Sequence, residues 1–497
     1  MTNNIPKEYV WFKHYEVYLK LFFIFITLRL YQYVLIWLSP SVQFDTSTIL
    51  FLRKVTFAKD PSLYKMGNKC LWNKLLSWDS IFFIKGIVSG LIKYPEFDFE
   101  LMFSRLWVQL IRFLLNVINT PITTKNFYFI LKFTVFVENI LHFLSVIIIY
   151  HLTILIYSEK TIVTTYTTVY AKKVAILSAI LFIFTSGSGF FISIYSEPLS
   201  FFLIFLGLWF REKSIVRNEN VSNQNIMKFK IGLYSSIYYL GTIPLFTLAA
   251  LNRPICVLLG LIYIYDLLSI LQYFVMKKRF SEDLSTIIRQ IVALPLLSGT
   301  IMLLTVVYNW YYIPFNRFCP SGGEWCNEQI LKSIPFITKQ SFYSFIQAKY
   351  WNIGFLNYWT LNNIPNFIIA IPQFIILLKS IHHFIINLHN SPNRCNTIIP
   401  LVAITIIFLF IVLFLAHVQI INRVSSFIPL HLWYISETLI SAKTNNQISH
   451  YKKSPNLNAN GVNFNNTKMI WVKLYLGCLF FWVSIQTVLF GLFLPPA

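Results

Sequence analysis

The fold class this sequence predicts is an all-α polytopic membrane protein, and two observations predict it. Hydrophobic residues fill 56% of the 497 positions, 48 of them Phe, only 12% are charged, and mean hydropathy is +0.61. A soluble core needs less. Apolar runs of about 17 to 25 residues also recur along the chain, each long enough to cross the hydrocarbon of a bilayer. Lipid cannot satisfy backbone N–H and C=O groups, so these runs are helices even where Ile and Phe would favour strands. The net charge of +22 does not indicate nucleic acid. No polar segment long enough to fold carries a basic stripe interleaved with exposed aromatics, and loop topology with anionic headgroups accounts for the excess.

The first span, 18–38, follows Lys7, Lys13 and Lys20 and lacks a small-residue cleavage site, so it reads as a signal anchor. Further spans are expected at 127–157, 174–189, 197–210, 231–250, 255–275, 290–312, 364–380, 398–416, 424–440 and 470–493, about eleven in all. Segments 1–20, 158–173, 211–230, 276–289, 379–396 and 441–468 hold 21 Lys and Arg, against two, Arg253 and Arg423, in the short loops opposite. The positive-inside rule makes the first set cytoplasmic. By parity a large first loop, 39–126, and a second, 313–363, are lumenal.

Within the first loop, residues 104–120 place Arg105, Gln109 and Arg112 on one side of a helix, which suits an interfacial helix better than a twelfth span. The sequons at Asn220 and Asn465 fall in cytoplasmic loops and would stay unmodified. Residues 441–468, with eight Asn, four Lys and no acid, cannot bury a core and are expected to be a disordered loop. No internal repeat is evident, which weighs against transporters built from inverted halves.

Chemistry is expected where the few acids gather. Asp and Glu number only 19, yet Asp79, Glu96, Asp98 and Glu100 lie within 22 residues of the first loop. A carboxylate held like Asp79, between Trp78 and an apolar run, can serve as a base; a helix cap before Ser80 is its bland alternative. Asp45 competes for that role, against a local turn in Asp45-Thr46-Ser47-Thr48, and Glu197 sits before Pro198 where helix-start capping is natural. Arg253 and Arg423 suit a phosphate headgroup at membrane depth, or they snorkel. Arg29, Glu138 and Asp266 lie inside expected spans, where ionisable groups are costly and should find partners in the bundle.

Cys319 and Cys326, in CPSGGEWC, are a candidate disulfide in an oxidising lumen. No zinc-spaced His or Cys pair accompanies them, and no metal ligands are assigned. From Tyr350 to Phe367, Tyr350, Trp351 and Trp359 are interspersed with Asn352, Asn357, Asn362, Asn363 and Asn366. Aromatic faces with amide donors suit a glycan; an interfacial aromatic belt is the alternative.

Several of these blocks, in order, resemble the PIG-V family of fungal-type GPI mannosyltransferases. Phe44-Asp45-Thr46-Ser47 is similar to its YDTS element, Trp78-Asp79 to its WD element, and Phe97 to Phe103 to YE-x-x-x-A-F, with Asp98 where Glu is usual. Tyr195-Ser196-Glu197 matches YSE, and Arg253 matches the Arg of R-S-N, followed here by Pro254 and Ile255. Gln347 to Phe367 is the strongest match, beside VQ-x-x-YWNVGFL-x-YW and IPNF; His417-Val418-Gln419, Arg423, Pro429 and Trp433-Tyr434 resemble the last block.

The resemblance implies a GT-C type glycosyltransferase of the endoplasmic reticulum membrane, with its active site lumenal. It implies transfer of the second mannose, α-1,6, from dolichyl-phosphate mannose to the GPI anchor precursor, with a small accessory membrane subunit in yeasts. The residue reading is compatible with it and takes Asp79 as the expected general base, with Asp45 and Glu197 as further catalytic candidates and the choice among the carboxylates open. Substrate-binding candidates are Trp78, Asp98, Glu100, Arg253, Gln347, Tyr350, Trp351, Asn352, Trp359, Asn366, His417 and Arg423. Cofactors are none beyond the donor, and divalent-metal need stays open, as do a lipid or solute transporter, a non-catalytic subunit and a GT-C enzyme acting on another lipid-linked glycan.

Overall fold

A computed structural model describes residues 8–40, 43–56, 68–89, 98–158, 165–216, 228–229, 233–277, 294–321, 324–327, 340–388, 392–451 and 459–494. Helix α1 (Glu8–Leu38) is followed by four short helices, α2 (Ser47–Thr56), α3 (Asn68–Lys74), α4 (Ser80–Ser89) and α5 (Arg105–Val117). Then come α6 (Phe127–Tyr157), α7 (Thr165–Ile183), α8 (Glu197–Ser214), α9 (Leu233–Leu240), α10 (Thr242–Asn252) and α11 (Gly260–Lys277). The chain continues through α12 (Leu297–Val307), α13 (Ile313–Phe318), α14 (Phe342–Trp351), α15 (Ile364–Asn387) and α16 (Pro392–Phe414). It closes with α17 (Ile421–Val424), α18 (Leu430–Tyr451) and α19 (Ala459–Gly491). Strand pairing among the described residues is one two-residue antiparallel match, Ile215–Val216 with Lys228–Phe229.

Every expected span has a helical counterpart. Among the described residues eight helices are long and apolar enough to cross a bilayer: His14–Leu38, Thr124–Tyr157, Tyr234–Asn252, Pro254–Gln272, Leu294–Phe318, Leu361–Asn387, Arg394–Phe414 and Lys468–Gly491. The other three expected spans are α7, α8 and α18, which carry buried polar groups such as Ser178, Arg211, Glu212, His431 and Ser436. These helices face protein: α6 packs on both α7 and α8, and α18 on α7, α15 and α19. Hydropathy records contact with lipid, and a helix sheathed by other helices can be more polar. The protein is thus an all-α polytopic membrane protein.

Helix α5 forms where the amphipathic segment was expected. Ser104 caps it by accepting the Trp107 N–H, and Trp107, Val108, Ile111 and Leu115 bury one face while Phe113 and Val117 stay exposed. In the stretch 441–468, read from composition as a disordered loop, the described backbone is helical on both sides: α18 runs to Tyr451 and α19 starts at Ala459, with 452–458 outside the described residues. Extending a helix already nucleated by packing costs little, so polar composition does not stop it.

α7 ends at Ile183, short of the expected 189, because Thr185-Ser186-Gly187-Ser188-Gly189 offers turn residues instead of helix formers. The connection from there to α8 is buried almost throughout. Loops usually avoid burial because their backbone polar groups need partners; here side chains provide them. Gln32 donates to Ser188 O (3.1 Å), Trp482 to Ser186 O (3.1 Å), Tyr33 to Ile192 O (3.2 Å) and Trp107 to Ile194 O (3.0 Å), while Gly189 N–H donates to Gln486 Oε1 (2.9 Å). Helices α1, α5 and α19 therefore converge on this loop.

Of the charges expected inside spans, Asp266 and Arg29 find hydrogen-bonded partners, whereas neither carboxylate oxygen of the buried Glu138 has one. Arg211 grips Asp266, with Nε 2.9 Å from Oδ2 and a second bond from Nη2 to Oδ1, and Tyr239 adds an O–H bond of 2.9 Å to Oδ2. Arg29 donates to Gln32 (2.8 Å) and to Nδ1 of His142 (2.6 Å), with Glu138 in electrostatic reach. Outside the main core, Met102, Trp310, Trp325, Phe342 and Ile346 form a satellite cluster, and Cys319 is disulfide-bonded to Cys326 beside it, Cα–Cα 5.4 Å.

Removing one member of a buried charge pair strands the other, at a cost of about 3–5 kcal/mol. Asp266→Ala should accordingly lower the unfolding midpoint in detergent and the yield of monodisperse protein. Arg211 Nη1 also lies 3.1 Å from the buried Glu212 carboxylate, so it is the joint replacement of Arg211, Glu212 and Asp266 by apolar residues of similar volume that should recover most of that loss, read by fluorescence-detected size exclusion after a heat step.

Candidate active site

The turn joining α3 to α4 carries Trp78 and Asp79. Trp78 adopts φ 57°, a left-handed conformation that a bulky side chain avoids unless its surroundings impose it. They do so from the end of α19: the Trp78 indole N–H donates to Leu494 O (3.2 Å) and its ring lies 5.3 Å from Phe493. Gln43 ties the same end to the turn, donating to Ser77 Oγ (3.0 Å) and Gly491 O (3.2 Å), and Phe44 N–H donates to Leu492 O (2.9 Å). Asp79 starts α4 with its carbonyl, which accepts from the Phe82 and Phe83 N–H groups. Its own N–H reaches the Tyr195 hydroxyl at 3.3 Å. The carboxylate is left for other work.

That carboxylate opens a string of alternating charge. Arg423 Nη1 lies 3.2 Å from Asp79 Oδ2, Arg423 Nε 3.1 Å from Glu197 Oε1, and Arg253 Nη2 2.6 Å from Glu197 Oε2. Four residues expected as separate candidates are one network. Exposure separates their roles: the Asp79 side chain is 28% accessible and that of Glu197 only 3%. Asp79 can meet a substrate, whereas Glu197 is the buried link that holds two guanidinium groups.

Arg423 also lies over the rings of Phe190 (5.1 Å) and Tyr195 (5.5 Å), an attractive placement for a cation. Burial acts to lower its pKa, but Glu197 and Asp79 outweigh that and raise it, so the charge is held. The backbone of Arg423 comes so near the buried loop that a Cβ on Gly187 would lie 3.0 Å from the Arg423 Cα. Tyr343 of α14 is near the network as well: burial raises its pKa, Arg253 and Arg423 oppose this, and Asp79 adds to it. At neutral pH its hydroxyl keeps its proton.

Other expected acids have local duties. Asp45 accepts the Ser47 N–H (2.6 Å) in a turn that starts α2. Glu100, a substrate-binding candidate from the sequence, is buried and paired with Lys85 of α4 at 2.5 Å. It fastens the 98–102 turn to α4, and its burial keeps it from solvent. Asp98 accepts the Phe99 N–H (3.0 Å) and the Tyr350 hydroxyl, and that last bond pushes the Tyr350 pKa up to about 12. It joins the two long loops. Among the described residues no three His, Cys, Asp or Glu gather so as to hold a metal ion.

The aromatic loop is an ordered shelf. α14 ends at Asn352 in the left-handed conformation, φ 51°, which Asn tolerates. Trp351 packs 6.1 Å from Phe99, and its carbonyl is bonded to His417 Nε2 (2.9 Å). His417 stacks on Tyr358 at 4.4 Å, and the Tyr358 hydroxyl accepts from Asn366 (2.8 Å). Burial lowers the His417 pKa, so the imidazole is neutral and braces the shelf. Tyr350 and Trp359 remain 42% and 51% exposed, Trp359 anchored by its indole N–H to Leu413 O (2.8 Å), while Gln347 is half-buried on α14.

The family profile described as "Mannosyltransferase (PIG-V)" matches residues 16–497. The chain belongs to the PIG-V mannosyltransferase family. It is 41% identical to "GPI mannosyltransferase 2" of Saccharomyces cerevisiae over 95% of this chain and 98% of that protein. Proteins of the same description from Candida glabrata and Eremothecium gossypii are 39% and 36% identical, over 95% and 97% of this chain and 98% and 100% of theirs. Among solved structures, an oligosaccharyltransferase of Archaeoglobus fulgidus aligns over 90% of this chain and 56% of its own, with a TM-score of 0.43 and 11% identity. A likeness that weak carries no argument. Membership in the PIG-V family makes the chain a glycosyltransferase, and the Asp79 network is the PIG-V member's candidate catalytic centre.

Tyr195, Tyr343, Phe190 and the 491–494 segment were not singled out as site residues from the sequence. Tyr195 lay inside a matched element; the others carried no local signal, because only tertiary contact brings them to Asp79 and Arg423.

Two outcomes are expected here. Glu197→Gln takes the shared carboxylate from Arg253 and leaves Arg423 with Asp79, and should cost up to about 3–5 kcal/mol of stability, seen as a lowered unfolding midpoint. His417, with its folded pKa depressed, contributes stability that is full above the unfolded value of about 6.5 and is lost as pH falls through the lower folded pKa. The hydrogen-exchange protection factors of residues 350–367, which are corrected for the intrinsic pH dependence of exchange, should therefore be lower at pH 5 than at pH 7 in wild type, and much less so in His417→Gln.

Proposed function

We propose that this enzyme adds the second mannose, in α-1,6 linkage, from dolichyl-phosphate mannose to the GPI anchor precursor at the lumenal face of the endoplasmic reticulum membrane. The acceptor is suggested by the printed names of the relatives. The observation that carries the chemistry is Asp79, a partly exposed carboxylate at the open end of the Arg423–Glu197–Arg253 string. The disulfide between Cys319 and Cys326 supports placing residues 313–363 in an oxidising compartment, with 39–126 on the same side.

The donor sugar is β-linked and the product α-linked, which a single inverting displacement achieves. Asp79 takes the proton of the acceptor 6-hydroxyl as that oxygen attacks C1, while the bond from C1 to the phosphate oxygen breaks and dolichyl phosphate leaves. The charge that grows on the leaving phosphate needs cations already in place. Arg423 and Arg253, held by Glu197 and side-chain accessible at 14% and 17%, supply them. Tyr350 and Trp359 offer faces for a sugar ring beside Asn352 and Asn366. A small accessory membrane subunit completes the active assembly.

Microsomal transfer of labelled mannose from dolichyl-phosphate mannose to a one-mannose GPI precursor tests this, with variants at matched protein levels. Asp79→Asn should fall by about 10² to 10⁴, the range of a lost general base, with its unfolding midpoint close to wild type. Asp45→Asn, engaged in a local turn, should keep most activity. A folded wild-type chain, supplied with its accessory subunit, that makes no product would overturn the assignment.

A further inference from the structure

One face of α14 links the charged network to the aromatic shelf. At about 100° of turn per residue, Tyr343, Gln347 and Tyr350 fall within roughly 60° of one another on this helix. They lie beside the stripe of Phe342 and Ile346, which is buried in the satellite cluster. Both ends of the face are fixed. The Tyr343 ring meets Trp310 edge-on at 5.1 Å, and the neighbouring Phe342 stacks on Phe318 at 4.9 Å. At the other end Tyr350 meets Phe99 edge-on at 5.0 Å, and Phe99 meets Phe82 at 5.6 Å, three residues after Asp79 in α4.

The two tyrosines use their hydroxyls differently. Tyr350 donates to Asp98 and leaves its ring exposed. The Tyr343 hydroxyl takes part in no hydrogen bond among the described residues, and the residue is only half-buried, so its donor is open. It is in electrostatic reach of Arg253, Arg423 and Asp79, and the two arginines act on it more strongly than the carboxylate does. Asp79 already has Arg423 at 3.2 Å and receives nothing from Tyr343. A spare O–H beside two guanidinium groups suits an anion that those groups hold. Being neutral, it adds a hydrogen bond where a third cation would add repulsion.

We propose that the Tyr343 hydroxyl donates a hydrogen bond to the phosphate of the polyprenyl-phosphate sugar donor, beside Arg253 and Arg423. The inference rests on the function proposed above. Tyr350 lies about 10 Å farther along the helix at ~1.5 Å per residue, room enough for the sugar of the same donor molecule to reach its ring. Tyr343 keeps its proton throughout, and no bond to it forms or breaks.

The test adds dolichyl phosphate, which carries the phosphate without the sugar, to the full chain in phosphatidylcholine nanodiscs and follows the unfolding midpoint. A ligand that binds only the folded state raises it. Tyr343→Phe removes the hydroxyl and keeps a ring against Trp310. A lost hydrogen bond to a charged group corresponds to about 10- to 100-fold in affinity, so the dolichyl phosphate needed for half of the rise should increase by that factor. Tyr234→Phe, at a position 81% exposed on α9, should match wild type. An unchanged requirement in Tyr343→Phe, an equal loss in Tyr234→Phe, or no rise in wild type overturns the proposal. If Tyr343→Phe does not fold, Tyr343→Gln, which retains a donor, is compared with Tyr343→Leu, and equal affinities overturn it as well. Weakened binding in Tyr343→Phe alone supports the proposal even if wild type transfers no mannose to the GPI precursor, a result that counts against the acceptor and leaves the phosphate contact in place.

Discussion

The buried connection between α7 and α8 is the constraint on which the active-site geometry rests. Thirteen residues of irregular chain, 184–196, lie among helices that satisfy its carbonyls through Gln32, Tyr33, Trp107 and Trp482. Each such bond adds only about 0.5–1.5 kcal/mol, but a stranded buried carbonyl would cost more than its bond contributes. The loop is therefore fixed by what its neighbours would lose. It ends at Tyr195 and Glu197, so the orientation of Asp79 and the two arginines is inherited from α1, α5 and α19.

Charge within the bundle obeys one rule at three depths. Arg211 with Asp266, Arg394 with Glu437, and Arg423 with both Asp79 and Glu197 each place a guanidinium against a carboxylate. In a medium that solvates neither ion, such pairs specify which helix meets which more than they stabilise. The Asp79 network differs in degree: the Asp79 side chain is 28% accessible, against 13% for Glu437 and 0% for Asp266. An open pair can exchange its partner for a substrate.

Much of this was legible in the sequence, and the limits were physical. Spans wet by lipid announced themselves by hydropathy. α7, α8 and α18 were located by the same runs, but the end of α7 was not, because Thr185 to Gly189 are small enough to pass in an apolar average. Asp79, Glu197, Arg253 and Arg423 could each be named, but not their joining. Nothing in a linear spacing says that residues 344 positions apart share a hydrogen bond. Glu100 looked like a site acid because acids are few, and only its burial against Lys85 shows the structural duty. Phe493 and Leu494 were invisible as site residues, being ordinary apolar positions at a helix end.

The dependence of Trp78 on the end of α19 has a consequence in time. Leu494 follows Trp78 by 416 residues, and at about 5–20 residues per second of synthesis the turn waits roughly 20 to 80 s for the carbonyl that secures its indole. Until the last helix is threaded into the membrane, Trp78 lacks the contacts that impose its left-handed backbone, and Asp79 has no fixed direction. The turn that carries Asp79 is made early and fixed last, so the candidate site takes its final geometry only when α19 is in place.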